Sequence, residues 1–388
     1  MSPRRPLFLV SVLGPAVQAE VPPQLYEYSY QFYQEEDGRI EVEAHYLRGK
    51  IDITDSTSLR FQWLHDAISG ASPTGALPGN SQPFLSDVED VRTGILGAIA
   101  HQFGDHRVEL EIARSTEDDY DSNGIALSDK LELNQKNTTL SYGFNYLDDS
   151  VKVRGLGNHE KNSYDFFTGV SQVIDKNTVI TANLTLGYSD GYLNDPYKVV
   201  QRDEVVSVPD GLGGFIDVPV VNIYRENRPD HRFRQVLQLE ATRYFEPAEG
   251  ALDVTLRLSN DDYGIFSETL QVEWRQAVGE NFQVVPFIRL YHQNAADFFV
   301  NTLNNVPVTT PSPDPDGSGP NYSADYRLSS FNAYSAGLRL SYQFNETFEI
   351  AAAYERYVMN GSGGSSDQSP GQAYPSANIW TIGVSAEF

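Results

Sequence analysis

Along nearly the whole chain the apolar residues recur at every second position. Leu252, Val254, Leu256 and Leu258 alternate with Asp253, Thr255 and Arg257. Tyr334, Ala336, Leu338, Leu340, Tyr342 and Phe344 alternate with Ser335, Gly337, Arg339, Ser341 and Gln343. Successive side chains of a strand point to opposite faces, so this period specifies strands with one apolar and one polar face. A soluble sandwich alternates too. The segments here, however, outrun the about 5–6 residues usual in soluble sheets and reach the about 9–11 that a tilted membrane strand needs. Aromatic residues gather at segment ends, as in Tyr244-Phe245, Tyr342-Phe344 and Tyr354-Tyr357, where an interfacial girdle belongs.

The connections fall into two sets. Gly104-Asp105, Asp175-Lys176, Pro247-Ala248-Glu249, Val278-Gly279-Glu280 and Asn345-Glu346 carry tight-turn chemistry. Residues 68–88, 149–161, 190–230, 295–325 and 359–375 read as long loops, with Gly211-Leu212-Gly213-Gly214 as the tip of a hairpin inside the third. The expected fold is all-β: a transmembrane, antiparallel, up-and-down barrel with short periplasmic turns and long extracellular loops. Both termini then lie on the periplasmic side, which demands an even strand number. About 16 strands satisfy it, and a weak first hairpin makes 14 the fallback.

Two termini support this address. Arg4 and Arg5, the apolar run Leu7–Leu13, the Gly14-Pro15 break and Val17-Gln18-Ala19 form a secretory leader cleaved after Ala19. Residues 20–388 then form a single barrel domain in the outer membrane of a Gram-negative bacterium. At the other end Trp380, Ile382, Val384 and Phe388 alternate with polar residues, and a terminal aromatic closing such a strand resembles the signal read by barrel-assembly machinery. Composition removes other classes. No run approaches the ~18 apolar residues of a membrane helix. With 53 acidic residues against 28 basic ones, nucleic acid is excluded as a partner, and the absence of cysteine excludes disulfides, thiolate metal sites and cysteine nucleophiles.

Several patches carry a family likeness: His65–Pro73, Asn137–Ser141, Gly191–Lys198, Tyr224–Pro229 and Arg327–Phe331. With them the chain resembles the bacterial domain of unknown function family 3570 over most of residues 25 to 388. The resemblance implies an outer-membrane barrel of unassigned role, sometimes encoded beside flavin-transfer, thioredoxin-like and small lipoprotein genes. It therefore implies a link to redox or metal-related periplasmic systems and a periplasmic or lipoprotein partner. It brings no catalytic residues.

The polar strand faces supply the expected lumen lining: Glu41, Glu43, Arg60, Glu109, Glu111, Asp253, Arg257, Glu273, Arg275, Arg289, Arg339 and Glu349. These residues read either as ion pairs bracing the inner wall or as rings of charge at a transport constriction. A bare count of their signs, with the acidic outer loops, gives a slight cation preference. Asp314 and Asp316 are the candidate Ca²⁺ ligands in those loops, though the distal glutamate of a full Ca²⁺ loop is missing. No other cofactor is expected, and no catalytic motif is present. Outer-membrane lipid and lipopolysaccharide are the expected surroundings. The functional expectation is a channel or a membrane sleeve for a partner. The alternatives are an outer-membrane enzyme of lipase or deacylase type and an adhesive barrel acting through the 190–230 loop.

Overall fold

The computed structural model describes residues 23–304, 306–308 and 310–388, so the leader expected over residues 1–19 lies outside the described residues. The first strands are β1 (Gln24–Glu35), β2 (Glu41–Thr54), β3 (Thr57–Pro73), β4 (Leu85–Phe103), β5 (His106–Thr116) and β6 (Tyr120–Leu133). Next come β7 (Thr138–Val153), β8 (Gly157–Asp175), β9 (Thr178–Gly191), β10 (Val199–Pro209), β11 (Phe215–Arg225) and β12 (His231–Phe245). The last are β13 (Gly250–Asp261), β14 (Phe266–Val278), β15 (Phe282–Gln293), β16 (Phe331–Gln343), β17 (Phe348–Gly361) and β18 (Ser376–Glu387).

All but β10 and β11 join one closed antiparallel barrel of 16 strands. β9 pairs with β12, and the β10–β11 hairpin between them stands apart. At the hairpin tip Gly211 and Gly213 take φ of 74° and 93°, a region open to glycine without strain. The seam closes between β1 and β18 in a register running from Leu25↔Glu387 to Glu35↔Ala377. Gln24 and Phe388 extend it by exchanging backbone hydrogen bonds of 3.2 and 3.0 Å, and the Phe388 ring meets Phe348 edge-on at 5.7 Å.

Residues directly opposed across a strand pair share a face. Leu239, Leu256 and Leu270 form one such row, and Leu110 with Leu127 and Ile112 with Ile125 form others. These rows face outward, with Ile112 62 % and Leu127 54 % exposed. A contiguous apolar band of this kind would drive a water-soluble protein to aggregate, whereas against hydrocarbon it is the spanning surface. No helix among the described residues is long and apolar enough to cross a membrane.

The strands run further than the alternation does. Strands extend into residues 68–88 and 149–161, both expected as long loops: β3 continues to Pro73, β4 begins at Leu85, and only residues 154–156 separate β7 from β8. The hydrogen-bond ladder persists above the lipid, where side chains no longer need to alternate. The same effect relocates Glu41 and Glu43, which were expected in the lumen. They oppose Gln34 and Phe32, lie in phase with Leu47 and Ile51, and therefore face outward at the outer rim. Ala44, 2 % exposed, points inward instead, so the apolar phase of β2 inverts above the membrane.

Two outcomes follow from this geometry. Leu256→Arg destabilises the barrel by about 2–4 kcal/mol in lipid vesicles, while Thr255→Arg on the inner face costs much less. Denaturant titrations giving equal penalties would reverse the assignment of faces. Deleting Phe388 removes the last bonds of the seam, and the folded, heat-modifiable fraction on a gel falls; an unchanged fraction would show that the terminal residue is dispensable.

Candidate functional site

The extracellular loops fold together over the mouth. At Gly191 the chain leaves β9 with φ of 102°, where a Cβ would strike the Glu160 carbonyl, and turns inward. Tyr192 then packs on Val151 and Val153 of the inner wall. Backbone bonds knit the loops to one another: Val199 N to Thr74 O at 2.8 Å, Leu303 N to Gln201 O at 2.8 Å, and Asn227 with Tyr322 in both directions at 2.9 Å. The Asn301 amide donates to Gln368 O at 2.9 Å and brings in the last loop. Two apolar clusters, around Tyr263, Phe299 and Leu328 and around Val200, Leu303 and Tyr322, exclude water between them.

A buried ion network holds this cap. Arg228 reaches Glu226 and Asp325, each at 2.7 Å, and Arg327 reaches Asp325 at 2.5 Å and also binds Asp195. Glu226 accepts from Ser323 Oγ and from Asp195 N, both at 2.5 Å. Lys198 donates to Pro73 O at 2.6 Å and to Ser72 Oγ at 3.1 Å, tying the network to the end of β3. Burial works against ionisation of Asp325, yet Arg327 and Arg228 outweigh it and hold the carboxyl below its usual range. Glu226 faces one arginine and two other carboxylates, so burial dominates and pushes it up. Burial likewise lowers Lys198. Asp195, Lys198, Glu226, Arg228 and Arg327 come from patches that carry the family likeness, Ser323 and Asp325 lie just outside them, and no local signal marks them as partners.

Below the cap, cross-strand register places Arg60, Glu109, Glu111, Asp253, Arg257, Glu273, Arg275, Arg289, Arg339 and Glu349 on the inner face. Arg60 reaches Glu109 at 2.6 Å and Glu111 at 2.7 Å, Arg275 pairs with Asp253, and Arg289 approaches Glu355 at 3.5 Å. The sequence reading passed over Arg232 and Arg234 at the outer end of β12. Their phase with Gln238 and Glu240, opposite Phe233 and Leu237, was the available sign that they point inward.

Three cavities run down this wall. The first, about 690 Å³, lies between the inner faces of β6–β9 and loop residues 192–197. It shares Arg228, Arg232, Arg234 and Arg327 with a second of about 370 Å³. That one shares Arg257, Thr269 and Tyr291 with a third of about 620 Å³.

Asp314 and Asp316 both line one cavity with His159, Glu160 and Asp230. Asp316 accepts from Ser318 N at 3.0 Å, and Asp314 stands 4.0 Å from His159. Among the described residues, acidic oxygens gather elsewhere, at Asp90, Glu117 and Asp119. Histidines bond to Tyr28, Thr57, Thr93, Asp129, Asp230 and Asn332.

The closed sheet, its apolar outer band and its polar, grooved interior define an outer-membrane β-barrel of porin-like build, a fold matching outer-membrane proteins of Gram-negative bacteria. The chain belongs to the family described as "Protein of unknown function (DUF3570)", which matches residues 15–86, 78–159 and 151–378. No curated protein matches it. Among solved structures, CdiB from Acinetobacter baumannii is similar with a TM-score of 0.50 and 9 % identity, over 93 % of this chain and 60 % of that one. A bacterial polysaccharide outer membrane secretin gives 0.49 and 9 % over 94 % and 98 %. The CymD monoaromatic hydrocarbon channel gives 0.41 and 9 % over 95 % and 89 %.

Asp325→Asn removes the buried carboxylate shared by Arg228, which is largely buried, and Arg327, which is half-exposed; breaking a buried pair typically costs about 3–5 kcal/mol. Because the Asp325 carboxyl is depressed in the folded protein, its contribution is present at neutral pH and is lost only as pH falls through that lowered value. Limited proteolysis therefore finds the loops of the parent protein protected at pH 7 and pH 5, and those of the variant cut at both. Equal protection in the variant would show that the network does not hold the cap.

Proposed function

We propose that the chain is a solute-selective channel of the outer membrane, delivered by a leader cleaved after Ala19 and assembled from its terminal strand. The chain of cavities supports this reading. A barrel of 16 strands is wide enough to enclose water unless something fills it. Here ordered loops occupy the mouth, while the wall beneath them stays grooved through about 690, 370 and 620 Å³ in succession. A solute on this path passes residues held by cross-strand pairing and ion pairs, which is the arrangement for selection by contact rather than by width.

The β10–β11 hairpin favours a second reading, adhesion, because its tip exposes Leu212 at 93 % and Phe215 at 72 %. Purified protein in a planar bilayer separates the two. The channel reading expects small discrete conductance steps that grow when Asp325→Asn loosens the cap and persist when residues 203–221 are removed. Silence in all three proteins would leave a sleeve or an adhesin as the better account.

A further inference from the structure

The charge along the path is unevenly compensated. Several inner-wall carboxylates are engaged, Asp66 with Arg92 at 2.5 Å, Asp149 with Lys161 at 2.9 Å and Asp261 with Arg232, while Asp165, Glu240 and Glu273 take amide partners away from the middle cavity. Arg234 and Arg257 lie on the same wall with no carboxylate oxygen within 4.0 Å among the described residues. Arg234 stands directly opposite Asp261, but that carboxylate is taken by Arg232. Arg257 stands between Gln238 and Thr269, both neutral.

The cavities inherit this imbalance. The middle one is lined by Arg232, Arg234 and Arg257 beside Arg228 and Arg327, and its two carboxylates, Asp261 and Asp325, are already ion-paired. The lower one is lined by Arg257 and Arg289 and by no carboxylate. Acids do line the upper cavity, Asp165 and Asp195 among them, so the change of sign falls at Arg234 and Arg257. Guanidinium groups that face one another without counter-charge repel, and an anion between them relieves that repulsion. Their planar forks match carboxylate and phosphate oxygens two at a time. Ser259, Ser267, Thr269 and Tyr291 line the same space and offer hydroxyl groups to the rest of a solute.

We infer that Arg234 and Arg257 form a binding site for a small organic anion bearing carboxylate or phosphate groups. Taken with the channel reading, on which this second step rests, the selected solutes are anions. The unfilled guanidiniums then replace the slight cation preference that a bare count of the sequence-expected lining suggests.

Calorimetry on the full chain in detergent at low salt tests the site without any conductance. Citrate and inorganic phosphate are the probes, and choline is the cationic control. At least one of the two anions binds, choline does not, and the Arg234→Gln/Arg257→Gln protein loses tenfold or more in affinity. The Arg234→Lys/Arg257→Lys protein, which keeps the charge and loses the forks, falls between, so a folding defect in the glutamine protein does not decide the result. Arg48→Gln, on the inner face of β2 where Arg48 donates to Gln62 at 3.1 Å, binds as the parent does. Binding of neither anion, or equal affinity in the parent and both double variants, overturns the site. The bilayer reversal potential in a salt gradient then separates the two claims. Anion binding without conductance keeps the site and removes the channel, and conductance without anion binding does the reverse.

Discussion

Within hydrocarbon, a backbone N–H or C=O without a partner costs several kcal/mol, and no water is present to supply one. A sheet meets that demand only by closing on itself, and much of this protein follows from closure. The last strand must pair with the first, and the exchange between Gln24 and Phe388 carries that pairing to the edge of the sheet. It must also present one apolar side chain in two to lipid. The other half of the side chains is released from any requirement to be apolar, and this half holds the ion pairs and the arginines. The chemistry of the molecule therefore sits on the face that the membrane does not constrain.

Above the lipid a different economy applies. The strands go on pairing, because the ladder is indifferent to side-chain polarity, and they carry outward-facing charges such as Glu41 and Glu43 that would be prohibitive lower down. On that raised rim the loops build a second interior, small and partly polar. Burying Glu226 and Asp325 at 1 % exposure is not a route to stability in itself, since desolvation cancels much of the Coulomb gain. What the network supplies is a single arrangement. Arg228 bridges the loop after β11 to the loop before β16, and Arg327 holds the loop after β9, so any other packing strands a buried charge.

The fold was legible because lipid imposes the alternation on the sequence residue by residue. Strand number, the two kinds of connection and the hairpin around Gly211 all follow from that local rule. Legibility stopped where lipid stops. Glu41 and Glu43 were assigned inward by a phase that inverts at the rim, and the extensions of β3, β4, β7 and β8 were missed because no apolar face is needed there. The cap network was hidden for another reason. Arg228 meets Asp325 across 97 positions of sequence, and at that separation nothing local couples them. Arg232 and Arg234 were within reach, since their parity along β12 was readable, but they lie just before the apolar run that drew attention.

The step from counting charges to placing them decides how the interior is understood. By count the lining expected from the sequence has a small acidic excess, which would favour cations, and the outward placement of Glu41 and Glu43 removes that excess. Pairing changes the sum that a solute meets. Where a carboxylate already holds a guanidinium, as Asp253 holds Arg275 and as Glu109 and Glu111 hold Arg60, the local field falls off within a few ångströms and contributes little to a passing ion. The field is set instead by the residues that register leaves over. Arg234 is left over because Arg232, two positions earlier on the same strand, takes the carboxylate opposite; Arg257 is left over because both its cross-strand neighbours are neutral. Both face one connected cavity, so their uncompensated charge is concentrated along the path rather than spread around the wall.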